Sequence, residues 1–107
     1  MTISDKYVEL IISRLEADLE IINGQKTYNF KCPWCYHFFD GIDARERKCA
    51  SLVPSQDRYE WKFICMRSRS QECRRIHGGR SLYNFLAMYD HDLFTQYQLE
   101  LKQENQQ

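Results

Sequence analysis

The sequence predicts an α+β fold, a small antiparallel β-sheet flanked by N-terminal and C-terminal helices. Three observations carry that expectation. Apolar residues recur at helical intervals near both ends, they alternate with polar ones in the middle, and cysteines stand where the alternating runs finish. At 107 residues the chain is a single domain. A chain this short has room for a modest core but not for a catalytic domain beside a binding domain.

The organisation expected is a helix over residues 1–24, a cysteine-bearing β-ribbon over 25–80, and a helix with a polar tail over 81–107. In the first part, Val8, Ile11, Ile12, Leu15, Leu19 and Ile22 follow intervals of three and four and fall on one helical stripe. Thr2 or Ser4 can cap its start, and Asn23-Gly24 reads as its stop. The ordinary use of such a stripe is packing on the core; a partner surface is the alternative.

From Tyr28 the period drops to two. Tyr28, Phe30 and Cys32 alternate with Asn29 and Lys31, a strand leading into Cys32-Pro33-Trp34-Cys35. Residues 41–57 are polar and mixed, with Asp40-Gly41 and Pro54-Ser55 as turn signals. Tyr59, Trp61, Phe63 and Cys65 form a second alternating run that delivers a cysteine at its end. A basic loop follows and closes at Gly78-Gly79. Ser81 then caps a helix carrying Leu82, Phe85, Leu86, Tyr89, Leu93, Tyr97 and Leu101, which Asp90-His91-Asp92 can split in two.

The net charge is zero, yet the charge is unevenly spread. Residues 31–83 hold eleven of the fifteen Lys and Arg against six acids, while both flanking regions are net acidic. The basic character therefore belongs to the cysteine-bearing middle. The N-terminal apolar positions are interrupted by charge every few residues, which is not the pattern of a secretory signal. Nor does any segment approach the roughly 20 apolar residues of a membrane span. A cytoplasmic, reducing setting is the expectation, with no membrane partner.

Five cysteines, an odd number with two in a Cys-x-x-Cys pair, fit a metal site with one spare thiol better than a closed disulfide set. Structural zinc takes four Cys or His ligands in a tetrahedron, two of them commonly from one tight Cys-x-x-Cys turn. Cys32 and Cys35 supply that half, and Cys65 and Cys73 the other, with seven residues between them. The extra loop length raises closure entropy only slowly. Cys49 and His77 are substitutes for Cys73, whereas His37 is too close to Cys35 for an easy tetrahedron. Iron–sulfur clusters also use four cysteines, but the strand-knuckle-strand order favours one structural Zn2+. A lone cysteine is more simply a small buried hydrophobe; four that bracket two strands are poorly explained that way.

The run from Tyr28 to Tyr89 resembles the zinc-binding, Cys-His-Cys-Cys type zinc-ribbon domain of bacterial and phage DNA primases. The resemblance rests on Phe30-Lys31-Cys32-Pro33-Trp34-Cys35, on Trp61-Lys62-Phe63-Ile64-Cys65, and on Gly78-Gly79-Arg80-Ser81-Leu82-Tyr83-Asn84-Phe85-Leu86. It covers roughly 60 residues and leaves both ends aside. The family's second pair is usually a tight Cys-x-x-Cys, so the spacing before Cys73 departs from the pattern. The resemblance implies a stand-alone zinc-ribbon module, non-enzymatic, in a DNA replication or mobile-element setting. Nothing in the sequence supplies the acidic cluster that holds catalytic magnesium in a polymerase.

Two functions follow. In the first, the chain binds nucleic acid, single-stranded DNA being favoured: Lys62, Arg67, Arg69, Arg74, Arg75 and Arg80 contact phosphates, while Trp34 and Trp61 stack on bases. Solvated loop arginines and core aromatics are the plainer account of the same residues. In the second, a zinc ribbon acts as a protein-interaction adaptor, such as a phage or plasmid factor docking on a host polymerase, helicase or transposition protein. A cysteine-based enzyme requires a nucleophile beside a base, and no spacing here provides one.

Overall fold

The structure, a computed structural model, describes residues 2–34, 48, 50–65 and 79–105. These residues form three helices and one five-stranded antiparallel sheet: α1 (Ile3–Arg14), β1 (Asp18–Ile22), β2 (Gln25–Phe30), β3 (Ala50–Pro54), β4 (Trp61–Cys65), β5 (Arg80–Ser81), α2 (Leu82–Tyr89) and α3 (His91–Asn105). The strands lie in sequence order across the sheet. The α+β expectation therefore holds.

Helix α1 starts in a capping box. The Thr2 hydroxyl accepts from the Asp5 amide, and the Asp5 carboxylate accepts from the Thr2 amide. Ser4, Tyr7, Val8 and Ile11 turn inward from it. Its end differs from the sequence expectation. The helix stops at Arg14, Glu16 takes a left-handed φ of 51°, and residues 18–22 run on as β1 rather than as further helix. Asn23-Gly24 is the turn of a tight hairpin, with φ of 52° and 80° and Ile22 opposite Gln25. Both central residues with positive φ fit a two-residue loop whose twist matches the strands it joins. Leu19 and Ile22, placed on the helical stripe by their spacing, consequently lie on a strand and are exposed.

One face of the sheet is apolar and covered by helices. The rows Phe30–Ala50–Cys65 and Tyr28–Leu52–Phe63 run across β2, β3 and β4 on that face. Strand β3 falls in the region that its composition marks as polar; Ala50 and Leu52 are nonetheless fully buried. On the other face Asn29 donates to Glu20 at 2.7 Å and accepts from Ser51 at 2.6 Å, a polar ladder across β1, β2 and β3.

The Ser81 hydroxyl caps α2 by accepting from the Asn84 amide, as its sequence position predicts. Asp90 is extended and separates α2 from α3, its carboxylate accepting from the amides of Asp92 and Leu93. Phe85 is the hub of the core, with ring centroids 4.7 Å from Phe63, 5.3 Å from Tyr89, 5.8 Å from Trp34 and 6.4 Å from Phe30. The helices α1 and α3 are joined by Tyr7 edge-on to Tyr97 at 5.0 Å and by a buried 2.6 Å hydrogen bond between the Ser4 and Tyr97 hydroxyls. Burial pushes the Tyr97 phenol up to about 12, so it stays neutral at ordinary pH. Among the described residues no helix is long and apolar enough to cross a membrane.

Candidate metal centre and nucleic-acid interface

Antiparallel register brings two of the proposed ligands to one end of the sheet. Strand β2 runs towards that end and finishes at Phe30, two residues before Cys32; β4 runs the same way and finishes at Cys65. Between them stands the start of β3, where Ala50 faces both Phe30 and Cys65. Alanine's small side chain leaves the flanking groups room to approach over it, and Phe30 and Phe63 lie 5.9 Å apart across the same strand. Cys32 is fully buried, Cys65 is 4% exposed, and both belong to the one apolar cluster.

Cys35 and Cys73, the other two ligands expected from the sequence, and Cys49, His37 and His77 lie outside the described residues. Among the described residues no group of three or more His, Cys, Asp or Glu side chains converges. A thiol just past β2 and another at the end of β4 offer sulfur donors at one end of the sheet, and thiolate is the form that binds zinc.

The residues proposed for nucleic acid separate into two groups. Lys62 and Arg80 both lie at the β4–β5 edge but on opposite faces of the sheet, Lys62 paired with Ser81 and Arg80 with Phe63. Arg67, Arg69, Arg74 and Arg75 lie outside the described residues, within the segment 66–78 that joins those two strands. At the segment's end Gly79 has a φ of 105°, and a Cβ there would meet Ile64 Cγ2 at 3.3 Å. Only a residue without a side chain suits both the conformation and the close approach to β4.

Both tryptophans pack against other rings. Trp34 is half-buried and meets Phe63 and Phe85 edge-on at 5.6 and 5.8 Å. Trp61 is half-buried, lies 5.7 Å from Tyr28, and donates its Nε1–H to Asp5 Oδ1 at 2.9 Å. Strand alternation sets Trp61 and Phe63 on the face opposite Lys62, whereas Arg80, paired with Phe63, shares their face. An aromatic and a basic side chain also meet elsewhere: Arg58 sits over Tyr59 at 5.2 Å, and Tyr59 stacks on Tyr83 at 5.1 Å.

The indole hydrogen bond holds the Asp5 carboxyl below its ordinary 3.8, more than offsetting its partial burial. A depressed carboxylate pKa adds stability that is present above the ordinary value and is lost as pH falls through the lowered one. Asp5→Asn is therefore expected to lower the thermal midpoint near neutral pH. The deficit relative to the unmodified chain should shrink below about pH 4. A midpoint difference that does not change with pH would show that the charge of Asp5 plays no part. Any effect of acid that the two proteins share cancels, so the difference between them is the readout.

Across the sheet the charges are polarised. Strand β1 at one edge carries Asp18 and Glu20 and no base, while β4 and β5 at the other carry Lys62 and Arg80 and no acid. Four strand spacings separate these edges, about 19 Å. Sequence reasoning missed the acidic edge because it assigned residues 18–22 to a helix; the Asn23-Gly24 pair was the signal for a hairpin. Neither a family model, nor a curated protein, nor a solved structure matches the chain.

Proposed function

We propose that the chain is a small zinc-ribbon protein, similar to the zinc-binding module of DNA primases, that binds single-stranded nucleic acid along its β4–β5 edge in the cytoplasm. The observation that carries the reading is the polarised sheet: the basic strands β4 and β5 are joined by the segment that holds Arg67, Arg69, Arg74 and Arg75. Phosphates neutralised by these side chains release counterions, which makes affinity fall with salt. Zinc held by Cys32, Cys35, Cys65 and Cys73 is structural in this reading: it ties the ends of β2 and β4 to the segments that follow them. The chain acts by binding, with no catalytic residue assigned. Base stacking is expected from the half-buried Trp34 and Trp61 and, because part of each already packs against neighbouring rings, also from the Tyr59–Tyr83 pair beside Arg58.

The test is fluorescence anisotropy with labelled single-stranded oligonucleotides over a range of salt. Affinity should fall steeply as salt rises. Replacing both Arg74 and Arg75 by glutamine should lower the log–log slope by about 1.4, roughly 0.7 for each single-strand phosphate that is no longer neutralised. Absence of binding even at low salt would overturn the reading.

A further inference from the structure

We propose that the outer edge of β1 accepts an extended segment of a protein partner, made of alternating apolar and basic residues, as a sixth strand of the sheet. The proposal goes beyond nucleic-acid binding and stands whether or not that reading holds.

Strand β1 ends the sheet and, among the described residues, pairs with β2 alone. The two-residue turn fixes which backbone groups remain for a partner. Ile22 and Gln25 flank the turn and form a hydrogen-bonded pair, so Glu20 with Thr27 and Asp18 with Asn29 are hydrogen-bonded pairs too. Leu19 and Ile21 fall at the intervening positions and direct their N–H and C=O groups outward. Their side chains share the face of Tyr28 and Lys26 and are 54% and 58% exposed. The strand has no proline, no lysine and an unbroken register. Natural sheets commonly rely on such features, or on bulges, to keep edges from pairing.

The charges select the occupant. Antiparallel pairing of two copies that matches Leu19 with Ile21 sets Glu20 directly against Glu20 of the copy, and like charges directly opposite destabilise a strand pair. Asp18 and Glu20 lie on the face away from Leu19 and Ile21. Although Asp18 meets Lys48 at 2.8 Å and Glu20 meets Asn29, both acids are exposed, and a carboxylate accepts several hydrogen bonds. A strand bearing Lys or Arg on that face and aliphatic side chains on the other satisfies both sides. Main-chain pairing supplies affinity in such additions, and alternate side chains supply specificity.

The probe is a fluorescein-labelled, end-blocked heptapeptide alternating lysine and valine, titrated with the full chain and followed by anisotropy. Two controls have the same composition: one with the four lysines and three valines segregated, one with N-methylated valines that cannot donate to an edge. The alternating peptide is expected to bind at least tenfold more tightly than either. Ile21→Pro removes an amide that points away from β2, so the hairpin keeps its ladder while tenfold or more of the affinity is lost. Its thermal midpoint reports the fold, and Leu19→Lys, which leaves the backbone intact, must weaken the same peptide. Equal binding of alternating and segregated peptides, or full binding by Leu19→Lys, would refute strand addition. Sedimentation showing concentration-dependent dimers that Ile21→Pro abolishes would assign the edge to a second copy instead.

Discussion

Exchanging Cys65 for serine is expected to give protein that holds no zinc and lacks a cooperative unfolding transition. The size of the effect separates the two accounts of this thiol. As a buried packing group at 4% exposure, Cys65 would cost about 1–3 kcal/mol on exchange for the more polar hydroxyl. As a ligand it would forfeit most of a binding energy on the order of 10 kcal/mol. Domains of this size are stable by only about 5–15 kcal/mol. The first loss lowers a midpoint; the second removes the fold. Cys35→Ser should behave like Cys65→Ser, whereas Cys49→Ser should keep about one zinc per chain by metal analysis. Cys65→Ala refines the comparison, because it deletes the thiol without burying a new polar atom. If Cys65→Ala melts within about 2 kcal/mol of the unmodified chain, the packing account stands. Equal metal loss on changing Cys49 would assign the ligands differently, and a fold that survives exhaustive chelation would show that no metal holds it together.

How far the sequence reveals this arrangement depends on whether one local signal acts alone. Ser81 followed by Leu82, Phe85 and Leu86 points to a capped helix, and nothing in that stretch competes with a 3.6-residue period. Strand β4 is legible from a longer alternation: Tyr59, Trp61, Phe63 and Cys65 keep a period of two although Ile64 interrupts the polar positions. Residues 15–22 carry two signals at once. Leu15, Leu19 and Ile22 satisfy helical spacing, whereas Leu19 and Ile21 satisfy a strand. The helix is ended by Glu16 at a φ of 51°, a conformation that glycine announces and glutamate does not. Strand β3 is hidden for another reason. It is five residues long, one of its two buried residues is an alanine, and Pro54 at its end reads as a turn. Its burial comes from lying between β2 and β4, a tertiary fact that no window of sequence contains. The two described cysteines are legible as spacing, since Cys32 and Cys65 end alternating runs; that those runs finish at the same end of the sheet follows only once β3 is inserted between them.

Phe85→Ala is expected to lower unfolding free energy by about 3–5 kcal/mol, the usual range for emptying a buried aromatic site. The upper part of that range is favoured here because the ring is fully buried and has four aromatic neighbours, two of them stacked. Those neighbours come from β2, the turn after β2, β4 and α2 itself, so no single element can move in to fill the space. Urea titration should show a lower midpoint with an unchanged slope, since the surface exposed on unfolding hardly alters. Leu99→Ala, on an α3 side chain that is 54% exposed, should stay within about 0.5 kcal/mol and serves as the reference. The substitution also reaches the candidate metal centre. Trp34 lies between Cys32 and Cys35 and packs edge-on against both Phe85 and Phe63. Losing Phe85 removes half of that support, so zinc affinity measured by competition with a chelator should fall together with stability. If the two losses prove independent, with zinc held as tightly in Phe85→Ala as in the unmodified chain, the aromatic cluster around Trp34 does not support metal binding. A stability loss below about 1 kcal/mol would mean that Phe85 is not the centre of the core.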